Sequence, residues 1–125
     1  MNRNLLVGSL AVLELLPPSA RITTETSTAF DLVDYDGNLA LYVSTEAPTG
    51  TGTPTLTVTL TESETSGGSY TAVSGVTSGA LTAAGVAKVI VNTDKRKRFI
   101  KAVATISGTN PSFACHVIAI ASPRG

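Results

Sequence analysis

The chain has 125 residues, nine basic and nine acidic side chains, one cysteine and one histidine. That length suits a single domain with one core. Zero formal charge supplies no positive field for nucleic acid, and a lone cysteine excludes an intrachain disulfide framework; one cysteine with one histidine cannot assemble a usual zinc site. Charged residues are 14% of the chain against about 25% in an ordinary domain, so its polarity comes from Thr, Ser and Asn. Threonine suits a half-buried pleated surface and Ser, Gly and Asn suit turns, which together favour an all-β chain.

The N-terminus reads MNRNLLVGSLAVLELLPPSA. Its apolar run from Leu5 to Leu16 is shorter than the roughly 20 residues of a membrane helix and is interrupted by Glu14, so no membrane partner is expected. Arg3 and Ser19–Ala20 imitate the ends of a signal peptide, but the charged region is thin and Glu14 breaks the apolar part, so the segment is read as mature protein. Pro17 and Pro18 restrict the chain after it. Residues 1–20 are therefore expected to be an arm or an edge strand, joined by a stiff corner to a domain over 21–122, with 123–125 as a tail. Leu6, Leu10 and Leu13 suit a helical stripe, whereas Leu10 and Val12 suit an extended arm. An arm adding a strand to a neighbouring subunit makes Leu5, Leu10 and Leu13 candidate partner contacts.

From Arg21 to Leu32, alternation places Ile22, Thr24, Thr26, Thr28, Phe30 and Leu32 on one face of a strand. DYDGN then carries an Asp-Gly hairpin signal, and NLALYVST sets Leu39, Leu41 and Val43 against Ala40, Tyr42 and Ser44. Asp31, Asp34, Asp36 and Asn38 are the oxygen-rich cluster of the chain, but no bidentate glutamate follows at calcium-loop spacing, and a turn explains them better. EAPTGTGTP reads as a loop, with no regular structure expected between Pro48 and Pro54. PTLTVTLTES has the cleanest period of two: Leu56, Val58 and Leu60 inward, Thr55, Thr57, Thr59 and Thr61 outward. Uncharged hydroxyl rows fit solvent or another subunit, so Thr57 and Thr59 are candidate partner contacts.

After SETSGGS, a short strand is expected from Tyr70 to Val73, then glycine turns at Gly75 and Gly79 and a strand from Val86 to Val91. DKRKR concentrates Lys95, Arg96, Lys97 and Arg98. Its readings are a solvated hairpin end, a nonspecific nuclear-localisation or nucleic-acid patch, or a basic surface facing an acidic patch on a protein partner; the neutral domain favours the last. RFIKAVATIS places Phe99, Val103 and Thr105 opposite Ile100, Ala102, Ala104 and Ile106; GTNPS is expected to turn, and FACHVIAIA is apolar on both faces, as in a strand covered twice. Cys115 and His116 are adjacent, hence on opposite faces, and form no nucleophile–base pair. No phosphate loop, nucleophile elbow or cofactor motif is present, so no catalytic, metal or cofactor residue is assigned. Seven to eight short strands without a long helix predict an antiparallel β-sandwich or closed barrel.

The segments AFDLVDYDGNLALYV, TGTGTPTLTVTLTESETSGGSYTAVSG and DKRKRFIKAVATISGTNPSFACHVIAI, within Ala29–Ile120, resemble small virion structural proteins of tailed bacteriophages, especially capsid decoration (cement) proteins. The resemblance implies a jelly-roll-like sandwich, made in the host bacterial cytoplasm, on the outer capsid surface of the virion. There it binds the major capsid protein at symmetry axes, often as a homotrimer. It carries no active-site residues. Tail, neck and head-spike components use similar sandwiches, and a host-surface glycan-binding module is a further alternative, although three tyrosines, three phenylalanines and no tryptophan supply few stacking surfaces.

Overall fold

Period-two patterning produces strands throughout the computed structural model, which describes residues 11–123. Eight strands run in chain order: β1 Ala11–Arg21, β2 Glu25–Thr26, β3 Phe30–Asp31, β4 Tyr35–Thr45, β5 Thr49–Ser63, β6 Thr71–Thr77, β7 Gly85–Asn92 and β8 Phe99–Pro123. The helical content of the described residues is one short 3-10 turn at Thr93–Lys95.

Every pairing is antiparallel. The C-terminal half of β8 pairs with β4 and β1, and β4 pairs with β7, giving sheet A in the order β7–β4–β8–β1. The N-terminal half of β8 pairs with β5 and, on its other edge, with β2 and β3; β6 lies beyond β5, completing sheet B. The pairs Thr45↔Cys115 and Thr49↔Ser112 show β4 and β5 following one another along β8. A single long ribbon therefore folds over to lay its two halves face to face. The result is an all-β antiparallel sandwich of jelly-roll-like topology.

The inward row of each strand fills the space between the sheets. Sheet A supplies Leu39, Leu41, Val43, Phe113, Val117 and Ala119, sheet B supplies Leu56, Val58, Leu60, Ile100, Ala102 and Ala104, and all twelve are fully buried in one cluster. Leu56, Val58 and Leu60 are inward as alternation predicts. FACHVIAIA, expected to be covered twice, buries only the Phe113, Cys115, Val117 and Ala119 row; His116, Ile118 and Ile120 stay half-exposed because none of the described residues packs on the outer side of sheet A. β1 adds Leu15 and Leu16, both buried, ahead of the two prolines.

Several expected turns and strands are different. The strand expected over Arg21–Leu32 is reduced to the two-residue pairings of β2 and β3. Between them Ser27, assigned by alternation to the opposite face from Leu32, is buried: its N–H donates to the Ala102 carbonyl at 2.8 Å and its hydroxyl accepts from the Ala102 N–H at 2.9 Å. One serine thus satisfies both polar groups of a β8 residue, and the chain leaves the ladder around it.

Asp36–Gly37 does not turn a hairpin. Gly37, with φ 76°, lies within β4 where the register slips between Asp36 and Ala40, while β3 and β4 belong to different sheets. A positive-φ glycine serves a bulge as readily as a turn. From Thr49 onward the Pro48–Pro54 stretch is likewise strand rather than loop, with φ of 117° at Gly50 and 73° at Gly52 and register slips on both sides of Thr51. GTNPS does not end a strand: Gly108, at φ 121°, and Asn110, at φ 49°, bend β8 as it leaves one sheet for the other. Gly75 also sits inside β6, opposite a register slip between Thr59 and Thr61. Glycine marks departures from the pleat in all these places, and the partner strand decides whether the chain reverses there.

Candidate partner-binding surfaces

Three outward surfaces remain once the core is filled. The first is the basic corner between β7 and β8. The 3-10 turn is anchored by the Thr93 hydroxyl, which donates to the Gly37 carbonyl at 2.7 Å, and by the Arg96 N–H donating to the Thr93 carbonyl at 3.1 Å. Arg96 lies 3.7 Å from the Glu62 carboxylate, and the same carboxylate oxygen accepts the Lys97 N–H at 2.9 Å. Arg98 grips Asp31 with two parallel hydrogen bonds of 3.0 and 2.9 Å while its guanidinium stands 5.0 Å from the centre of the Phe99 ring. That bidentate donation holds the Asp31 carboxyl below its ordinary pKa and raises that of Arg98.

The four predicted cations are therefore brought to one corner, where Arg96 and Arg98 have carboxylate partners in their own chain and the side chains of Lys95 and Lys97 are exposed. Beside them an open cleft of about 600 Å³ runs along Leu32, Val33 and Tyr35. Asp31 of the acidic cluster is committed to Arg98 and to the Val33 N–H at 3.0 Å. Among the described residues, no group of three or more His, Cys, Asp or Glu side chains is gathered where a metal ion could sit, and no helix is long and apolar enough to cross a membrane.

The second surface is the outer face of sheet B. Thr55, Thr57, Thr59 and Thr61 of β5 stand opposite Ser107, Thr105, Val103 and Lys101 of β8, all pointing away from the core. Thr57 and Thr59 are half-buried among these neighbours. Lys101 extends over the Tyr70 ring at 4.3 Å, so the lysine and one of the few tyrosines occupy each other. A second aromatic pair, Phe30 and Tyr35, has ring centroids 5.5 Å apart.

The third surface, the outer face of sheet A, was not singled out by sequence reasoning. It carries Val86, Lys88 and Ile90 of β7, Ala40, Tyr42 and Ser44 of β4, His116, Ile118 and Ile120 of β8, and Val12 and Glu14 of β1. Apolar residues at both parities of FACHVIAIA and GVAKVIVN are its sequence signal. Leu13, a predicted partner contact, pairs with Ala119 and packs half-buried against the core. Leu5 and Leu10 lie outside the described residues.

The chemically reactive side chains have structural surroundings. Cys115 faces inward and is buried, which pushes its thiol pKa up, while His116 points to the other face. Beside Cys115 lies Arg21, a buried arginine that alternation did not reveal. Its guanidinium donates to the carbonyls of Pro17 at 2.6 Å, Ser19 at 3.2 Å and Cys115 at 2.6 Å, and to the Glu25 carboxylate at 2.9 Å. The physical need is plain: Pro17 and Pro18 lack N–H groups where β1 slips register between Leu16 and Ser19, and the arginine supplies donors in their place.

No protein-family model matches the chain, and no curated protein does. Solved structures do. The PBSX exported protein XepA superposes with a TM-score of 0.62 at 12% identity, over 92% of this chain and 37% of that one. The SPBc2 prophage-derived protein YomS gives 0.56 at 10% identity, over 90% and 91% of the two chains. The VP2 subviral particle of infectious bursal disease virus gives 0.57 at 13% identity, over 93% and 33%. What is shared is the fold. The chain spans about a third of the XepA and VP2 chains and nearly all of YomS.

Proposed function

We propose that this chain is a non-enzymatic structural protein of a bacteriophage particle, which binds the outer surface of the major capsid protein lattice and stabilises the head. The observation that carries the reading is the sandwich itself, shared with a PBSX exported protein, a prophage-derived protein and a viral particle protein, presenting hydroxyl and apolar faces and a basic corner while Cys115 and Arg21 are buried structural groups. A ligand that binds only an assembled lattice stabilises that lattice by mass action, which requires surface complementarity and no catalytic group. In this reading Lys95 and Lys97, aided by Arg96 and Arg98, steer the basic corner to an acidic patch on the capsid protein, and Thr57 and Thr59 offer an uncharged contact. The N-terminal leucines Leu5, Leu10 and Leu13 and the trimer implied by the family resemblance belong to the same proposal.

Electron microscopy of phage heads assembled with and without the purified chain tests it. The expected result is regular external density at symmetry-related positions and heads that withstand higher temperature. Density at the tail or neck, or none, overturns the head assignment. Reversing the charge of Lys95, Arg96 and Lys97 is expected to weaken attachment and flatten its salt dependence; attachment that is unchanged across a salt series removes the basic corner from the contact.

A further inference from the structure

Sheet A turns an unusually apolar face outward. Of the large hydrophobic side chains exposed in the described residues, Val12 at 66%, Val86 at 67% and Ile90 at 52% all lie on it. Its register arranges them in rows across the sheet. One row reads Ile90–Ala40–Ile120–Val12, and the next reads Lys88–Tyr42–Ile118–Glu14. The second row is apolar in the middle and oppositely charged at its ends: lysine on the β7 edge and glutamate on the β1 edge.

We propose that this face is an interface with a second copy of the same chain, packed sheet on sheet about a two-fold axis parallel to the strands. Two arrangements place the face against itself. With the axis across the strands, β7 meets β7 and β1 meets β1, so Lys88 faces Lys88 and Glu14 faces Glu14. With the axis along the strands, β7 meets β1 of the other copy and β4 meets its β8. Lys88 then faces Glu14 twice in one interface. Ala40 faces Ile120 and Tyr42 faces Ile118, so the smallest side chain of the first row meets a large one, and Ile90 meets Val12. A two-fold contact needs a patch complementary to itself, and this row pattern supplies it in one orientation only. Aligned packing of two sheets is the ordinary way of burying such faces, with side chains interdigitating across about 10 Å. The contact does not depend on the particle reading: it uses neither the basic corner nor sheet B, and it combines with a three-fold contact elsewhere in a dihedral assembly.

Sedimentation equilibrium of the full chain over a concentration series tests the inference, with circular dichroism confirming the fold of each variant. The native chain is expected to show an even number of copies, and Ile90→Glu half that mass. Lys88→Glu and Glu14→Lys are each expected to weaken the association by about tenfold, and the double variant K88E/E14K to restore it. A native chain that stays single at every concentration, as when residues 1–10 or a foreign partner cover the face, overturns the proposal. So does a folded Ile90→Glu variant of unchanged mass. Should Ile90→Glu fail to fold, the charge reversals decide alone: no rescue in K88E/E14K overturns the two-fold arrangement.

Discussion

Val58 and Thr57 are neighbours in sequence with opposite fates. Val58 is fully buried between the sheets, whereas Thr57 looks out beside Thr105. Aspartate at position 58 places an unpaired carboxylate in the core and is expected to destabilise the fold by upwards of about 3 kcal/mol; aspartate at 57 is expected to cost under about 1 kcal/mol. Thermal melts of the two variants compare them directly, and equal losses contradict the assigned faces. Asp31 gives a pH signature. Its carboxyl is held below the usual range by Arg98, so the pair's contribution is present above the ordinary carboxylate pKa and is lost as pH falls through the depressed folded value. Asp31→Asn is therefore expected to melt somewhat below the native chain at neutral pH, and the gap to close on acidification. The pair is exposed, so the gap is small and shrinks in salt.

Among the elements, β8 and its bend govern the architecture. Gly108 sits at φ 121°, and a Cβ there comes within 2.9 Å of the Pro54 Cα. Gly108→Ala therefore combines backbone strain with a backbone clash and is expected to lose about 2 kcal/mol, read by chemical denaturation with an unchanged m-value. Gly37, where an added Cβ meets nothing within 4 Å, is the comparison: Gly37→Ala feels only the φ of 76° and is expected to lose less. At the other margin, β1 places Leu15 and Leu16 in the core. Deleting Met1–Leu16 removes both, worth about 3–6 kcal/mol of burial, and is expected to destabilise the sandwich far more than deleting residues 1–10. Comparable melting of the two truncations contradicts a core role for β1.

For the molecule as a whole, a single strand shared by both sheets has a thermodynamic consequence. Because β8 contributes one half to each sheet and both sheets fill one core cluster, opening either sheet exposes the inward face of the other. Unfolding is expected to be one cooperative transition, with circular dichroism and tyrosine fluorescence tracing the same midpoint. Separate midpoints contradict the shared-strand account. Pairing through β8 also joins residues far apart in the chain, and such topologies refold slowly, so millisecond-to-second refolding is expected in stopped-flow measurements.

Local chemistry by itself determined the β class and the central row of the core. Leu56, Val58 and Leu60 are legible as inward against a row of threonines. Leu39, Leu41 and Val43, like Ile100, Ala102 and Ala104, are legible as sharing a face but not as the buried one, because pleating alternates side chains with a period that needs no knowledge of the partner strand. The clustering of Lys95–Arg98 is visible for the same reason, being contiguous. What only the tertiary structure decided is where strands bend, slip and meet. Gly37, Gly75 and Gly108 announce positive φ without stating whether the chain reverses or bulges, because that depends on the hydrogen bonds offered by a strand distant in sequence. The burial of Arg21 depends on the carbonyls of Pro17, Ser19 and Cys115 that accept its hydrogen bonds, and the Arg98–Asp31 pair joins the turn before β8 to β3 across 67 residues. The outer face of sheet A has the same origin: Val12, Ile90 and Ile120 come from three separate segments and become one surface only when β1, β7 and β4 assemble about β8.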